Sequence, residues 1–353
     1  MKRKKVYFMS ILMAILLLVI TGCSSNSENT SEAASNEKIK LKFASYFAGT
    51  SPIYTDFTEP WMKKVTELTD GQVEFEYYPS EQLGKVGDLL QLTKDGVTDI
   101  SIFPANYYSD QMPLTHMLLG LPNLSETTTQ GTKAFNELVQ ENEVLLNTDY
   151  LNNGLRPLVS HVSPTNELWT TGLEFRVPAD LKGKKIKTAG GIANEIYSYL
   201  GAVPVTISHA ETYEALEKGV VDIASYYSMA VKNSGTDELL KYTVSPHIGT
   251  VIQSININEK VWGKLPESVQ KAMIQAGEEI IEPIGQVYED EANKFYEEFA
   301  AKGGIIAELT QEEKLQWDTE TIKFTEEWLK KHESDSKYKD VLTAYQEKLD
   351  EYK

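Results

Sequence analysis

Lys187 stands next to last in the run Lys184 to Thr188, and Tyr226-Tyr227 come just after the run Val220 to Ala224. A lysine offers a positive charge with three donors, and a tyrosine pair offers flat faces and hydroxyls. Such groups can hold a small ligand by charge, stacking and hydrogen bonds. Both sets fall where a parallel sheet presents its ligands, in the loops beyond the carboxyl ends of the strands, here residues 187–191 and 225–227. Two readings stand for each. Lys187 is either a ligand contact or a solvated member of a basic run. The tyrosines are either a pocket wall that stacks and hydrogen-bonds, or hinge and core packing.

Signals of catalysis are few. Five histidines (His116, His161, His209, His247, His332) have no ligand spacing between them, so no metal is expected. The chain has no G-x-S-x-G elbow, phosphate-binding loop or dinucleotide fingerprint. Gly190-Gly191 after a strand is weak evidence of phosphate binding, and no carboxylate is singled out by pattern. The expectation is a binding protein without cofactor, not an enzyme.

The elements that position these residues alternate. Residues 177–227 read strand, helix, strand, helix, strand, the order that lays parallel strands into a sheet with helices on its faces. Lys184–Thr188 is the first strand, with Ile186 inward and Lys185 and Lys187 on the opposite side. A helix with Ile192, Ile196, Tyr199 and Leu200 at helical spacing stops at Gly201. Val203–Ile207 is the second strand. Ser208 with Glu211 reads as a capping box opening the next helix, and Val220–Ala224 is the third strand.

Upstream, Lys40–Ser45 alternates as a strand and leads into a loop with Tyr46 and Phe47. A helix over about 54–68, a strand at Val73–Tyr77, a helix through Val86–Thr93 and a strand at Val97–Ile102 follow, then the loop 103–108 with Asn106 and Tyr107. Gly96-Val97-x-Asp99-Ile100 recurs 123 residues later as Gly219-Val220-x-Asp222-Ile223. The echo is either chance, since Gly after a helix and Asp near a strand are both common, or the mark of two similar lobes, each presenting a loop to a shared cleft, with Asp99 and Asp222 bonding nearby amides. Met117–Pro122 reads as an apolar turn, and residues 155–160, 242–244 and 250–257 as strands. A helical region runs from Pro266 to about Ala301 across Pro283, long enough to back both lobes. The tail from Gln311 is amphipathic, with Trp317, Phe324, Trp328 and Leu329 facing inward.

The first residues are an address. Lys2, Arg3, Lys4 and Lys5 precede an apolar run ending in Ile20-Thr21-Gly22-Cys23, which looks like a bacterial lipobox whose cysteine is diacylated. The alternative is a signal anchor with an ordinary cysteine. Residues 24–38 form a Ser/Asn/Glu tether that cannot build a core. Losing the four basic residues takes the formal net charge from −18 to −22, which argues against nucleic acid as a partner. A single cysteine allows no internal disulfide, so packing must supply the stability. About 315 residues remain, enough for one large or two ordinary domains.

Three stretches together carry a resemblance. They are Leu41-Lys42-Phe43-Ala44 with Thr69-Asp70-Gly71-Gln72-Val73 and Gln82-Leu83-Gly84; Leu119-Gly120-Leu121-Pro122; and Ala179-Asp180-Leu181-Lys182-Gly183-Lys184-Lys185-Ile186-Lys187 with Leu200-Gly201-Ala202-x-Pro204-Val205 and Glu211-x-Tyr213-x-Ala215-Leu216-Glu217-x-Gly219-Val220-Val221-Asp222. They resemble the solute-binding proteins of tripartite ATP-independent periplasmic (TRAP) transporters, C4-dicarboxylate-binding-like, in a lipoprotein form. The resemblance implies an α/β, two-lobed periplasmic-binding-protein-like fold with crossing strands between lobes and a long helix backing both. Lobe 1 would take residues 39–157 and about 244–282, and lobe 2 about 158–243 and 283–353, after a leader over 1–22 and a tether over 23–38.

The departures concern the ligand. Lys187 stands where the family usually has an arginine that grips a carboxylate with two prongs; lysine keeps the charge and loses the fork. Tyr226-Tyr227 replace a polar residue, often followed by proline. A second basic position maps near Asn166 or Glu167; Trp169 and Arg176 lie close by, and each either supplies the missing contact or is structural. The site implied is Tyr46, Phe47, Asn106 and Tyr107 on one lobe and Trp169, Lys187, Tyr213, Tyr226 and Tyr227 on the other. The expected role is capture of a small organic acid and delivery to the small and large membrane subunits of a TRAP transporter. The receptor would sit on the outer face of the cell membrane through lipid on Cys23, as in a Gram-positive bacterium. The alternatives are presentation of the ligand to a membrane signalling kinase, or a lipid-anchored enzyme.

Overall fold

The computed structural model describes residues 38–353. The expected leader, Cys23 and all but the last residue of the tether lie outside the described residues.

Two sheets share one plan. β1 (Ile39–Ser45), β2 (Val73–Tyr78), β3 (Ile100–Pro104), β4 (Leu155–Val162) and β10 (Ile252–Asn258) lie in the order β2-β1-β3-β10-β4. β5 (Glu167–Thr170), β6 (Lys185–Thr188), β7 (Val203–Thr206), β8 (Ile223–Tyr226), β9 (Tyr242–Val244) and β11 (Ile305–Ala307) lie in the order β11-β9-β5-β8-β6-β7. In each sheet a central strand, β1 or β6, has a parallel neighbour on both sides. The next strand along, β10 or β5, runs antiparallel. The chain crosses between the sheets in extended form from β4 to β5 and from β9 back to β10, and a helix carries it across again from β10 to β11. Hydrogen bonds bind the two extended crossings together: Ser163 N–H to the Val251 carbonyl at 2.9 Å and Asn166 N–H to the Gly249 carbonyl at 2.8 Å.

The echo in the sequence is an echo in space. The Asp99 carboxylate accepts the Lys42 N–H at 2.8 Å, and the Asp222 carboxylate accepts the Lys185 N–H at 2.8 Å. Each aspartate thus fastens the turn before its strand to the central parallel strand, at the middle of β1 and at the start of β6. Both turns begin with a left-handed glycine, Gly96 at φ 76° and Gly219 at φ 65°. In both, the next N–H returns into the preceding helix, Val97 to the Leu92 carbonyl and Val220 to the Ala215 carbonyl, each at 2.9 Å. These turns delay both strands relative to the sequence reading. β3 begins at Ile100 and β8 at Ile223, and Tyr226 ends a strand instead of starting a loop.

Three further expectations change. Ser208 does not cap a helix: its hydroxyl donates to the Glu211 carboxylate at 2.6 Å, and the helix starts only at Thr212. Met117–Gly120 belongs to a helix, Pro113–Gly120, whose free first-turn amides are capped from afar. The buried Asp149 carboxylate accepts the Leu114 and Thr115 N–H groups, and burial pushes its pKa up to about 6. The last helix, Ser336–Glu351, packs on the helix Thr128–Glu141 beside the first sheet, with Tyr345 edge-on to Phe135 at 6.3 Å. The rest of the tail serves the second sheet's side. Trp317 donates to the Arg176 carbonyl at 2.8 Å, and Phe324 meets Tyr199 at 5.6 Å.

The long helix spans Glu267–Ala301, 35 residues with Pro283 inside. Its first half lies on β4, where a Cβ on Gly277 would stand 2.9 Å from Val159 Cβ. Its second half reaches the other sheet, where Phe295 and Phe299 meet the Trp169 ring edge-on at 5.6 and 5.4 Å. Proline at 283 removes one backbone donor from the helical ladder between these halves.

Candidate ligand site between the two sheets

A cavity of about 580 Å³ opens between the carboxyl ends of the two sets of parallel strands. Lys187 lies at its heart. It sits in β6, between Val205 of β7 and Ala224 of β8. The sequence reading sets it opposite the inward Ile186, but both faces of this central strand are covered and Lys187 is only 3% exposed. A surface lysine it is not. Its ammonium nitrogen stands 3.5 Å from the centroid of the Tyr226 ring. No carboxylate pairs with it among the described residues, and burial pulls its pKa down to about 7, because the charged form loses its hydration without gaining a counter-ion.

Tyr226 is fixed at both ends. Its carbonyl accepts the Trp169 indole N–H at 2.9 Å. Its hydroxyl lies 2.9 Å from Thr212 Oγ1 and 3.0 Å from His209 Nδ1. The Thr212 proton goes to the Ser208 carbonyl at 2.8 Å, so Thr212 accepts from Tyr226. His209 must then donate from Nδ1. Burial first, and the Lys187 charge second, hold the His209 imidazole down to about 4, so it is neutral at pH 7.

The loop after β6 bends close against the fold. Gly191 has φ 57°, and a Cβ there would lie 1.9 Å from His116 Cε1. Only glycine fits that position.

From the first sheet's side come Tyr46 and Phe47, rings 4.0 Å apart, with Asn106 and Tyr107. The Tyr46 hydroxyl donates to Gln253 Oε1 at 2.5 Å. Asn106 Oδ1 is buried with no hydrogen-bond partner among the described residues. Seven of the nine anticipated residues therefore meet at this cavity: Tyr46, Phe47, Asn106, Tyr107, Lys187, Tyr226 and Tyr227.

The other two do not line it. Trp169 is fully buried behind the site, enclosed by the long helix, and its indole nitrogen reaches the cavity only through the Tyr226 backbone. Tyr213 follows Thr212 on its helix, and it is the Thr212 hydroxyl that touches the site. Arg176 is occupied elsewhere, gripping Glu313 through Nε and Nη2 at 2.5 and 2.9 Å. Of the pair at the second basic position, Asn166 lines the cavity and Glu167 points away. Glu167 accepts from the Tyr296 hydroxyl, and burial raises its carboxyl to about 7.

The sequence reading passed over His209 and Tyr197 as lining residues. His209 follows the carboxyl end of β7, so the same strand-end rule that selects Lys187 would have found it. Tyr197 reads as an ordinary helix residue. Its hydroxyl is 2.9 Å from Ser225 Oγ in the cavity wall.

Two α/β lobes joined by paired crossing strands, with a cavity between the strand ends and one buried cation, define a solute-binding protein of the two-lobed extracellular class. The chain belongs to the bacterial extracellular solute-binding proteins of family 7, the DctP family of TRAP receptors, whose model matches residues 43–332. A solute-binding protein of Roseobacter denitrificans is 25% identical over 224 residues, 61% of this chain and 65% of that one. The chain therefore spans just under two thirds of that relative. In structure it is similar to a TRAP solute-binding protein of Rhodoferax ferrireducens in complex with copurified benzoate, with a TM-score of 0.80 and 22% identity over 89% of this chain and 98% of that one. A marine metagenome TRAP protein specific for aromatic acids, in complex with 3-hydroxybenzoate, gives a TM-score of 0.81 at 22% identity over 90% and 99%.

Proposed function

We propose that this protein captures a small monocarboxylate with an apolar, planar body in the interlobe cavity and delivers it to the membrane subunits of a TRAP transporter. The observation that carries the reading is Lys187: a buried cation without an anion, over an aromatic face. A lone ammonium taken from water is unfavourable, and a ligand carboxylate is the group that restores its balance. Lys232, the other lysine at the cavity, lies 3.5 Å from Glu298 and is already paired. One free charge favours one carboxylate. The walls of Tyr46, Phe47, Tyr107, Tyr226 and Tyr227 suit a flat ring, as do the aryl acids held by the two similar structures.

Walls from both lobes mean that a ligand touching both favours the closed arrangement over an open one. That difference is what a membrane partner can read. Anchorage through a diacylated Cys23 follows from Ile20-Thr21-Gly22-Cys23, and intact-mass measurement of the membrane-extracted protein tests it. No helix among the described residues is long and apolar enough to cross a membrane.

Thermal-shift and calorimetric titration with benzoate, aliphatic monocarboxylates and C4-dicarboxylates test the ligand class. A ligand at a hundred times its dissociation constant stabilises by about 2.7 kcal/mol. A shift with monocarboxylates supports the proposal. A shift only with the C4-dicarboxylates, or with none of these acids, contradicts it.

A further inference from the structure

Two helices, one from each lobe, meet beside the cavity. The helix Pro113–Gly120 belongs to the first lobe, where Asp149 caps it. The helix Ile192–Tyr199 follows β6 in the second. Each side of this seam offers a glycine to a side chain of the other. A Cβ on Gly120 would stand 2.8 Å from Ile192 Cβ, and one on Gly191 would stand 1.9 Å from His116 Cε1. Leu119 and Gly120 on one side, and Gly190 and Ala193 on the other, line the cavity. No hydrogen bond joins the two helices among the described residues. The fit is one of shape, and such contact is largely forfeited once the surfaces part by about 1 Å.

The C-terminal pair of helices holds both sides of this seam. The helix Gln311–Lys331 packs on the second-lobe helix: Phe324 meets Tyr199 at 5.6 Å, and Lys331 pairs with Glu195 at 3.1 Å. It also holds the chain just beyond the first-lobe helix, where the Asn123 side-chain amide donates to Asp318 and Thr321 at 3.3 and 3.2 Å. The last helix, Ser336–Glu351, packs on the first-lobe helix and on its neighbour Thr128–Glu141, where the Gln130 amide donates to the Leu349 carbonyl at 2.9 Å. Only residues 332–335 join the two arms, and they leave no slack. The His332 ring stacks on Trp328 at 3.9 Å, and its Nδ1 lies 2.8 Å from the Trp328 carbonyl. Tyr338, from the other arm, sets its edge against both rings at 5.3 and 5.2 Å. Asp335 donates its N–H to the His332 carbonyl at 3.0 Å and caps the last helix through the Lys337 N–H.

We propose that this helix pair is a clip whose stiff elbow, Trp328-His332-Tyr338, presses the first-lobe and second-lobe helices together, so that the stretch of cavity wall they share is assembled before any solute arrives. No residue of the clip lines the cavity. It acts on binding by preorganisation, because a wall already in place spares the solute the cost of ordering it. The clip works whatever solute the cavity takes, so it goes beyond the carboxylate reading and does not rest on it. Trp328, His332, Tyr338 and Asn123 are positioning residues.

The test lengthens the elbow and leaves both arms intact. Gly-Ser-Gly-Ser is inserted between Glu333 and Ser334, alone and together with Asn123→Gly, which keeps the left-handed backbone at φ 55° and removes the second tie. His332→Ala is the milder variant, for use if the inserted chains do not fold. Hydrogen exchange of the intact protein is then followed by mass spectrometry. Peptides over residues 117–121 and 190–195 should exchange at least about tenfold faster in the inserted chain with Asn123→Gly, and by a smaller factor in the other two. Strands β1 and β8 should keep native rates. Benzoate affinity should fall about threefold or more in the same order. The inference is overturned if the folded variants keep native exchange at the seam, or if exchange rises equally in β1 and β8, which would make the elbow a general support of the fold. Exchange needs no solute, so failure of benzoate to bind the native protein would count against the carboxylate reading and leave this result standing.

Discussion

Lys187 Nζ and the Tyr226 ring form a contact of 3.5 Å in which the cation faces an aromatic plane and no carboxylate. A desolvated cation–π contact contributes about 2 kcal/mol, less than the cost of burying an unpaired ammonium. The free receptor therefore holds an unbalanced site whose missing partner is an anion. Removing the charge relieves that imbalance. Lys187→Met should lower carboxylate affinity roughly hundredfold, the scale of a charge-assisted contact, while the unliganded protein melts at the same or a higher temperature. Calorimetric binding and melting scans on the same samples check it; a large loss of stability would assign Lys187 to holding the fold.

The pH dependence has a defined sign. The folded pKa of Lys187 is about 7, below its unfolded value of about 10.4. Between those values the unfolded chain holds a proton the folded one lacks, so stability from this group rises with pH through that window. It is lost as pH falls through about 7. Carboxylate affinity runs the other way, falling by up to about tenfold per unit as pH rises above 7 until the bound lysine's own pKa is reached. Titrations at pH 6, 7, 8 and 9 check it. His209, already neutral above about 4, adds nothing in this range.

Trp169→Phe keeps the ring in its aromatic nest and deletes the N–H bonded to the Tyr226 carbonyl. Leaving that buried group unpaired costs about 1–3 kcal/mol. Denaturant melts should show that loss, together with weaker ligand binding because the Tyr226 ring is less firmly held. A wild-type melt would show that the indole N–H is not needed to hold Tyr226.

Gly191→Ala should be the harsher change. The added carbon would meet His116 Cε1 at 1.9 Å, on a backbone at φ 57°. Displacing the loop and straining φ together should cost at least about 2 kcal/mol. Gly49→Ala, with open space around its Cβ position, serves as the control and should melt within about 0.5 kcal/mol of the native protein.

The repeat of Gly-Val-x-Asp-Ile was legible as two similar lobes because each residue in it has a local job that the fold reproduces, down to equal hydrogen bonds at Asp99 and Asp222. Tyr226, Tyr227 and the loop after β6 were legible through the rule for strand ends. What could not be read is what covers a strand. Alternation in the four-residue β6 places Lys187 opposite Ile186, and sequence cannot say that the opposite face is closed as well. Trp169 was drawn towards the ligand by its closeness in sequence to the site, whereas its strand turns it to the long helix. The seat of the last helix beside Phe135 depends wholly on contacts between distant segments, as does the hydrogen bond from Tyr46 to Gln253.

The central claim, that Lys187 waits largely uncharged at slightly basic pH for a carboxylate, is tested most directly by counting protons on binding. Titration of the ligand at pH 8 in buffers of different ionisation enthalpy yields the net proton uptake. The account predicts uptake approaching one proton per ligand bound by the native protein, and none in Lys187→Met at ligand concentrations that still give binding. Tight carboxylate binding by the native protein with no proton uptake would contradict it.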